Sequence, residues 1–140
     1  MTAGHRAAPA RIARLLHLSL LITPIGFFGI ALFLGAHPSW TAPAPPGLLR
    51  WGGLGIGGVL VAVTATIRNT VPPRQAEESE DAWFAANLPR ALTLWALAEA
   101  VGMVGATVGL VAGDPLGALP LVGASTILLL HLSPRRLAQA

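Results

Sequence analysis

The chain has 140 residues, 54% of them hydrophobic and 11% charged, with no cysteine and a net charge of +3; its mean hydropathy is +0.66. A soluble domain of this size carries about 25% charged residues, so an ordinary water-facing enzyme is excluded, and without cysteine there is no disulfide framework, thiol nucleophile or cysteine-based zinc site. The length allows a single domain over 1–140; the basic residues, all arginine, are scattered at the edges of apolar blocks, whereas nucleic-acid binding requires a clustered basic face, so no nucleic acid partner is expected.

A helix crosses a hydrocarbon core of about 30 Å with about 20 apolar residues. The first such run covers 15–34 and holds Pro24, Gly26 and Gly29 near its middle, which predicts a bend. Its length exceeds the about 7–15 residues of a signal-peptide core, so it is expected to be retained. Residues 37–47 (HPSWTAPAPPG) carry too many prolines for helix or sheet and read as an extended connection, with Trp40 and Trp51 suited to the membrane interface. A second span is predicted over 51–67 and a third over 91–112. Gly113-Asp114-Pro115 reads as a tight turn into a fourth, over 116–132, which gives an antiparallel hairpin. The second and fourth spans are short, so they stand upright or borrow interfacial residues. Between the second and third lies the one sizeable polar stretch, 69–90, with Pro72-Pro73, the acids Glu77, Glu78, Glu80 and Asp81, and Trp83-Phe84. It reads as a solvated acidic loop returning to the bilayer through aromatic anchors; the sharper alternative is a docking surface for a basic partner.

Orientation follows from the arginines, because short cytoplasmic loops retain them. Arg6, Arg11 and Arg14 precede the first span, Arg68, Arg74 and Arg90 flank the 69–90 loop, and Arg135 and Arg136 follow the fourth span, leaving only Arg50 on the other side. The expected fold is therefore all-α, a four-helix integral membrane bundle with both termini and the acidic loop cytoplasmic, multi-pass in the plasma (inner) membrane.

One acidic side chain falls inside the predicted spans: Glu99, eight residues beyond Ala91, roughly 12 Å into the bilayer at the rise of a helix. A charge at such a depth costs about 2.5–3.5 kcal/mol on insertion scales, so intramembrane carboxyls face protein or water and are candidate functional sites. Loss of water disfavours the ionised form. A carboxyl that takes and releases a proton, or exchanges it for Na⁺, is then a transport site; one that stays neutral is a hydrogen-bonding helix joint. Trp95, Gly102, Met103 and Ala106 share its side of the helix, and Gly55, Gly58, Ala62 and Ala65 form a small-residue stripe on the second span that offers a close-approaching partner. Thr64 and Thr66 are candidate donors to Glu99 from that span.

The glycine-rich helix GGLGIGGVLVAVTATI, the polar loop with Arg74-Gln75, and the helix ALTLWALAEAVGMVGATVGLVAG resemble the hairpin of the rotary ATP synthase c subunit over about 51–113. The resemblance implies a cytoplasmic loop and, at the matched position Glu99, a carboxylate that binds H⁺ or Na⁺. The orientation read from arginines alone agrees with that loop placement. Because the carboxylate lies on the third of four helices and Ala76 stands where the family has proline, the implied object is a c-like hairpin inside a different four-helix protein.

His17 and His131 come near the cytoplasmic ends of the first and fourth spans and read as interfacial histidines with wet partners; without further ligands they do not make a metal site. The membrane Ser and Thr residues can bond their own helix carbonyls, and no catalytic constellation emerges, so neither an enzyme nor a cofactor is expected. Two functions remain. One is an ion-handling protein with Glu99 as the site and Gly55, Gly58, Ala62, Gly102 and Ala106 packed around it. The other is a structural or accessory protein in which Glu99 is a neutral joint and the acidic loop meets a partner. The expected partners are the lipid bilayer and either further copies of the chain or a membrane complex.

Overall fold

The computed structural model describes residues 8–37 and 46–139. Its elements are α1 (Pro9–Gly35), α2 (Pro46–Arg68), α3 (Glu80–Val111), a 3-10 turn (Pro115–Ala118) that leads into α4 (Leu119–His131), and a short α5 (Pro134–Gln139). Three of them, α1, α2 and α3, are long and apolar enough to cross a membrane, and Pro115–His131 is a shorter apolar helix. Large apolar side chains stand open to the surroundings along α1 (Leu15, Leu18, Ile22, Ile25, Ile30, Phe33), α2 (Trp51, Ile56, Val59) and α4 (Ile127, Leu130). In water this surface would drive aggregation; against lipid it is the expected exterior, and the chain is a helical membrane protein. Of the expected extended connection over 37–47, residues 38–45, with Trp40, lie outside the described residues, as does Arg6, while Pro46 and Gly47 already form the first turn of α2, where proline fits because its missing N–H has no partner to lose.

The helices are arranged around α3, which packs against α1, α2 and α4 and exposes no large apolar side chain. Its small residues explain how three neighbours fit. A Cβ on Gly102 would come within 2.7 Å of both Pro24 Cβ and Ser125 Oγ, one on Gly105 within 2.6 Å of Leu121 Cβ, and one on Gly109 within 2.8 Å of Ala118 Cβ. Glycine at these positions lets α4 lie almost backbone to backbone with α3. Pairings along the helices give their directions. Asp81 meets Ala10, Trp95 meets His17 and Gly102 meets Pro24, so α1 runs parallel to α3. Gly53 faces Val108, and Pro72, just beyond α2, accepts from Trp83, so α2 runs antiparallel. Ser125 Oγ donates to Ala98 O (2.7 Å) and Trp95 Nε1 to Leu132 O (2.7 Å), so α4 also runs antiparallel to α3. The turn at 113–115 is built as its sequence suggests: Gly113 takes φ 64°, a left-handed conformation that glycine adopts without strain. Asp114 then caps the 3-10 turn by accepting from Gly117 N at 3.1 Å.

The expected 69–90 loop is half helix. Ser79 accepts from Ala82 N, and Glu80 and Asp81 occupy the first turn of α3; a side-chain cap and two acids at a helix N-terminus favour the start there. The helix thus begins about three turns before the apolar run, through Pro89. Trp83 and Phe84 are not interfacial anchors. They are 1% and 0% exposed, packed edge to face, and form a small core with Val71, Leu137 and Ala138. Trp83 Nε1 donates to Pro72 O at 3.1 Å, and Arg74 N donates to Ala138 O at 3.0 Å. Helix α5, absent from the sequence reading, supplies the lid of this core.

Two of the acids are engaged within it. Glu80 pairs with Arg14 at 2.7 Å, and Asp81 Oδ1 accepts from Ala10 N at 3.0 Å, which caps α1 from another helix. At the opposite end of the molecule Arg50 pairs with Asp114 at 2.5 Å.

Candidate functional site

Glu99 sits near the middle of α3, partly buried, one turn from the fully buried Trp95 and one from Gly102. The polar side chain that faces it from α1 is Thr23. Because α1 and α3 run parallel, the two residues reach the same level: each lies eight positions into its predicted span, 15–34 or 91–112. Close approach of the helices is secured next door, where Pro24 fills the space that Gly102 leaves.

The geometry of Thr23 defines what the pair can do. Its Oγ1 donates to Ser19 O at 2.9 Å, the usual back-bond of a hydroxyl in an apolar helix. A hydroxyl has one proton and two acceptor positions. With that proton on Ser19 O, Thr23 can only accept, and the matching form of Glu99 is the protonated acid. With the hydroxyl turned to the carboxyl, Thr23 donates to the carboxylate and Ser19 O gives up its second bond. A hydroxyl at this level could thus serve the carboxyl in either protonation state, with one rotation between the two arrangements.

Thr23 is exposed and Glu99 is intermediate in burial. Beyond it Ala100, Met103, Val104, Thr107 and Val108 line a shallow hollow of about 330 Å³ on the open side of α3. Among the described residues no group of three or more histidines and acids stands ready for a metal ion.

The predicted surroundings of Glu99 are divided by the structure. Gly102 and Ala106 are buried in the helix packing. Gly55, Gly58 and Ala62 are not: all three are exposed, and a Cβ on Gly55 or Gly58 would meet nothing within 4 Å. The packed face of α2 is instead Gly53, Gly57 and Thr64, rotated from the expected stripe, with Gly53 against Val108 and Gly57 against Leu121. Two small-residue series interleave on this glycine-rich helix, and only contact with the bulky Val108 and Leu121 decides between them. Thr64 and Thr66 donate to Leu60 O (2.7 Å) and Ala62 O (3.0 Å) of their own helix and not to Glu99.

The histidines also part company. His131 is exposed in the last turn of α4, whereas His17 is 7% exposed, with Nε2 2.8 Å from Leu129 O and its ring edge-on to Trp95 at 5.1 Å. His17 is thus a core joint of α1, α3 and α4 and not a wet interfacial group. Thr23 is the neighbour of Glu99 that residue patterns left out. Matching depth along helices that enter from the same side would have found it.

No family model, curated protein or solved structure matches the chain.

Proposed function

We propose that the chain is a multi-pass membrane protein of four spans, the fourth formed by Pro115–His131, and that Glu99 with Thr23 is its site for binding and passing H⁺. The single observation that carries this reading is the placement of a carboxyl in the middle of the apolar α3 at the level of the Thr23 hydroxyl on the parallel α1. The likeness of 51–113 to the ATP synthase c subunit hairpin supports it, with Glu99 at the matched position. Na⁺ is the less fitting cargo. A sodium site takes several oxygen ligands, and here a single hydroxyl, that of Thr23, faces the carboxyl.

The arginines set the orientation. Arg11, Arg14, Arg68, Arg74, Arg90, Arg135 and Arg136 belong to the end where α1 and α3 begin and α2 and α4 finish, with Arg50 alone at the other. By the positive-inside rule the first end is cytoplasmic, and the plasma membrane is the location proposed with it.

A partner-docking role for the acidic segment loses two of its four charges to internal work, since Glu80 holds Arg14 and Asp81 caps α1.

The test is proton uptake into vesicles containing the purified full chain, driven by a potassium diffusion potential and read with an internal pH dye. The wild type acidifies the lumen faster than empty vesicles, and Glu99→Gln returns the rate to that of empty vesicles. Equal rates for wild type and Glu99→Gln would reject the transport reading.

A further inference from the structure

At the arginine-rich end, the start of α1 and the corner between α4 and α5 flank an open hollow of about 320 Å³ lined by Arg14, His17, Leu18, Ser133, Pro134 and Arg135. Its make-up is divided. Two arginines and a serine are among its lining residues, and the lining is mostly apolar. Arg14 gives one nitrogen to Glu80, and its side chain is half exposed, with further donors unused. Arg135 is exposed and has no ion-pair partner among the described residues. Guanidinium forks match phosphate oxygens in geometry and charge. The charge nearby leaves an excess to be met: among the described residues, seven arginines against four acids at this end leave a net charge of +3.

We propose that this hollow seats the phosphodiester headgroup of an anionic phospholipid of the cytoplasmic leaflet, held by Arg14 and Arg135 with Ser133 as an added donor. A lipid suits the site better than a free phosphate because the apolar wall continues. Leu18, Ile22 and Ile25 are 51%, 57% and 48% exposed in succession down one side of α1, over roughly 10 Å at the helical rise, which is a track for an acyl chain directly below the headgroup. Basic pockets between helices at the cytoplasmic surface have the chemistry to select such lipids. The inference rests on the membrane placement proposed above but not on Glu99, so it stands or falls separately from the proton site.

The test uses the full chain in a non-ionic detergent, with thermal unfolding followed as dioleoylphosphatidylglycerol, dioleoylphosphatidylcholine or sodium phosphate is added. Phosphatidylglycerol is expected to raise the midpoint at low mole fraction, phosphatidylcholine and phosphate to leave it nearly unchanged. Arg135→Gln weakens the phosphatidylglycerol response by about fivefold in concentration, as expected for the loss of one arginine near a lipid surface. Arg136→Gln, with the same change of charge on a residue outside the hollow, leaves it intact. Arg14→Lys keeps a charge opposite Glu80 but loses the fork, and weakens the response as well. Equal effects of the two lipids, reproduction of the shift by phosphate alone, or equal weakening by Arg135→Gln and Arg136→Gln would overturn the proposal.

Discussion

At the scale of single residues, the hydroxyl of Thr23 is the feature on which the proton site turns. Replacing it by valine keeps the shape and removes both of its hydrogen-bonding roles, so Thr23→Val is expected to move the pH at which Glu99 titrates, whereas Thr66→Val, whose hydroxyl bonds only Ala62 O, leaves it in place. Carbodiimide modification of Glu99 as a function of pH checks both. Packing residues behave differently. Gly102→Val must displace Pro24 and Ser125 and is expected to cost about 1–3 kcal/mol of stability in detergent. Gly55→Val, on a face with open space, should be tolerated, and thermal unfolding compares the two. Ser125→Ala removes the bond to Ala98 O at a cost of about 0.6 kcal/mol, the typical worth of an interhelical hydrogen bond in a membrane.

At the scale of elements, legibility followed the apolar pattern. The cores of α1, α2 and α3 and the turn before α4 were readable because uncharged runs of membrane length have few other uses. The first three turns of α3 were not, because Glu80, Asp81 and Arg90 dilute the hydrophobic signal; the Ser79-Glu80-Asp81 start was the clue, and it was local. The phase of α2 was illegible for a different reason. With glycine at 52, 53, 55, 57 and 58 several faces are equally smooth, and the neighbour decides. The same gap moved the partner of Glu99 from α2 to α1. The early start of α3 has a measurable counterpart: Ser79→Ala should destabilise the protein by about 1 kcal/mol through loss of the cap. Asp81→Ala should be the more damaging of the two, since Asp81 accepts from Ala10 N of α1 as well as standing at the start of α3. Thermal unfolding of the two variants ranks them.

At the scale of the whole molecule, α3 is the shaft and α1, α2 and α4 are arranged around it. Seven arginines and the Trp83-Phe84 core gather at one end, and the Arg50–Asp114 pair stands at the other. The absence of cysteine makes this arrangement simple to map: a membrane-impermeant maleimide added to intact cells should label Gly47→Cys and leave Gln75→Cys unlabelled until the membrane is opened. The reverse pattern would invert the topology. The central claim is that Glu99 takes up and releases a proton within the membrane. Its most direct test is modification by a hydrophobic carbodiimide, which reacts with the protonated acid, measured by mass spectrometry on the intact protein across a pH series. The proton site predicts strong labelling of Glu99 in acid that fades through a single titration as pH rises. Labelling that is absent or independent of pH would show a carboxyl that does not titrate there, and would contradict it.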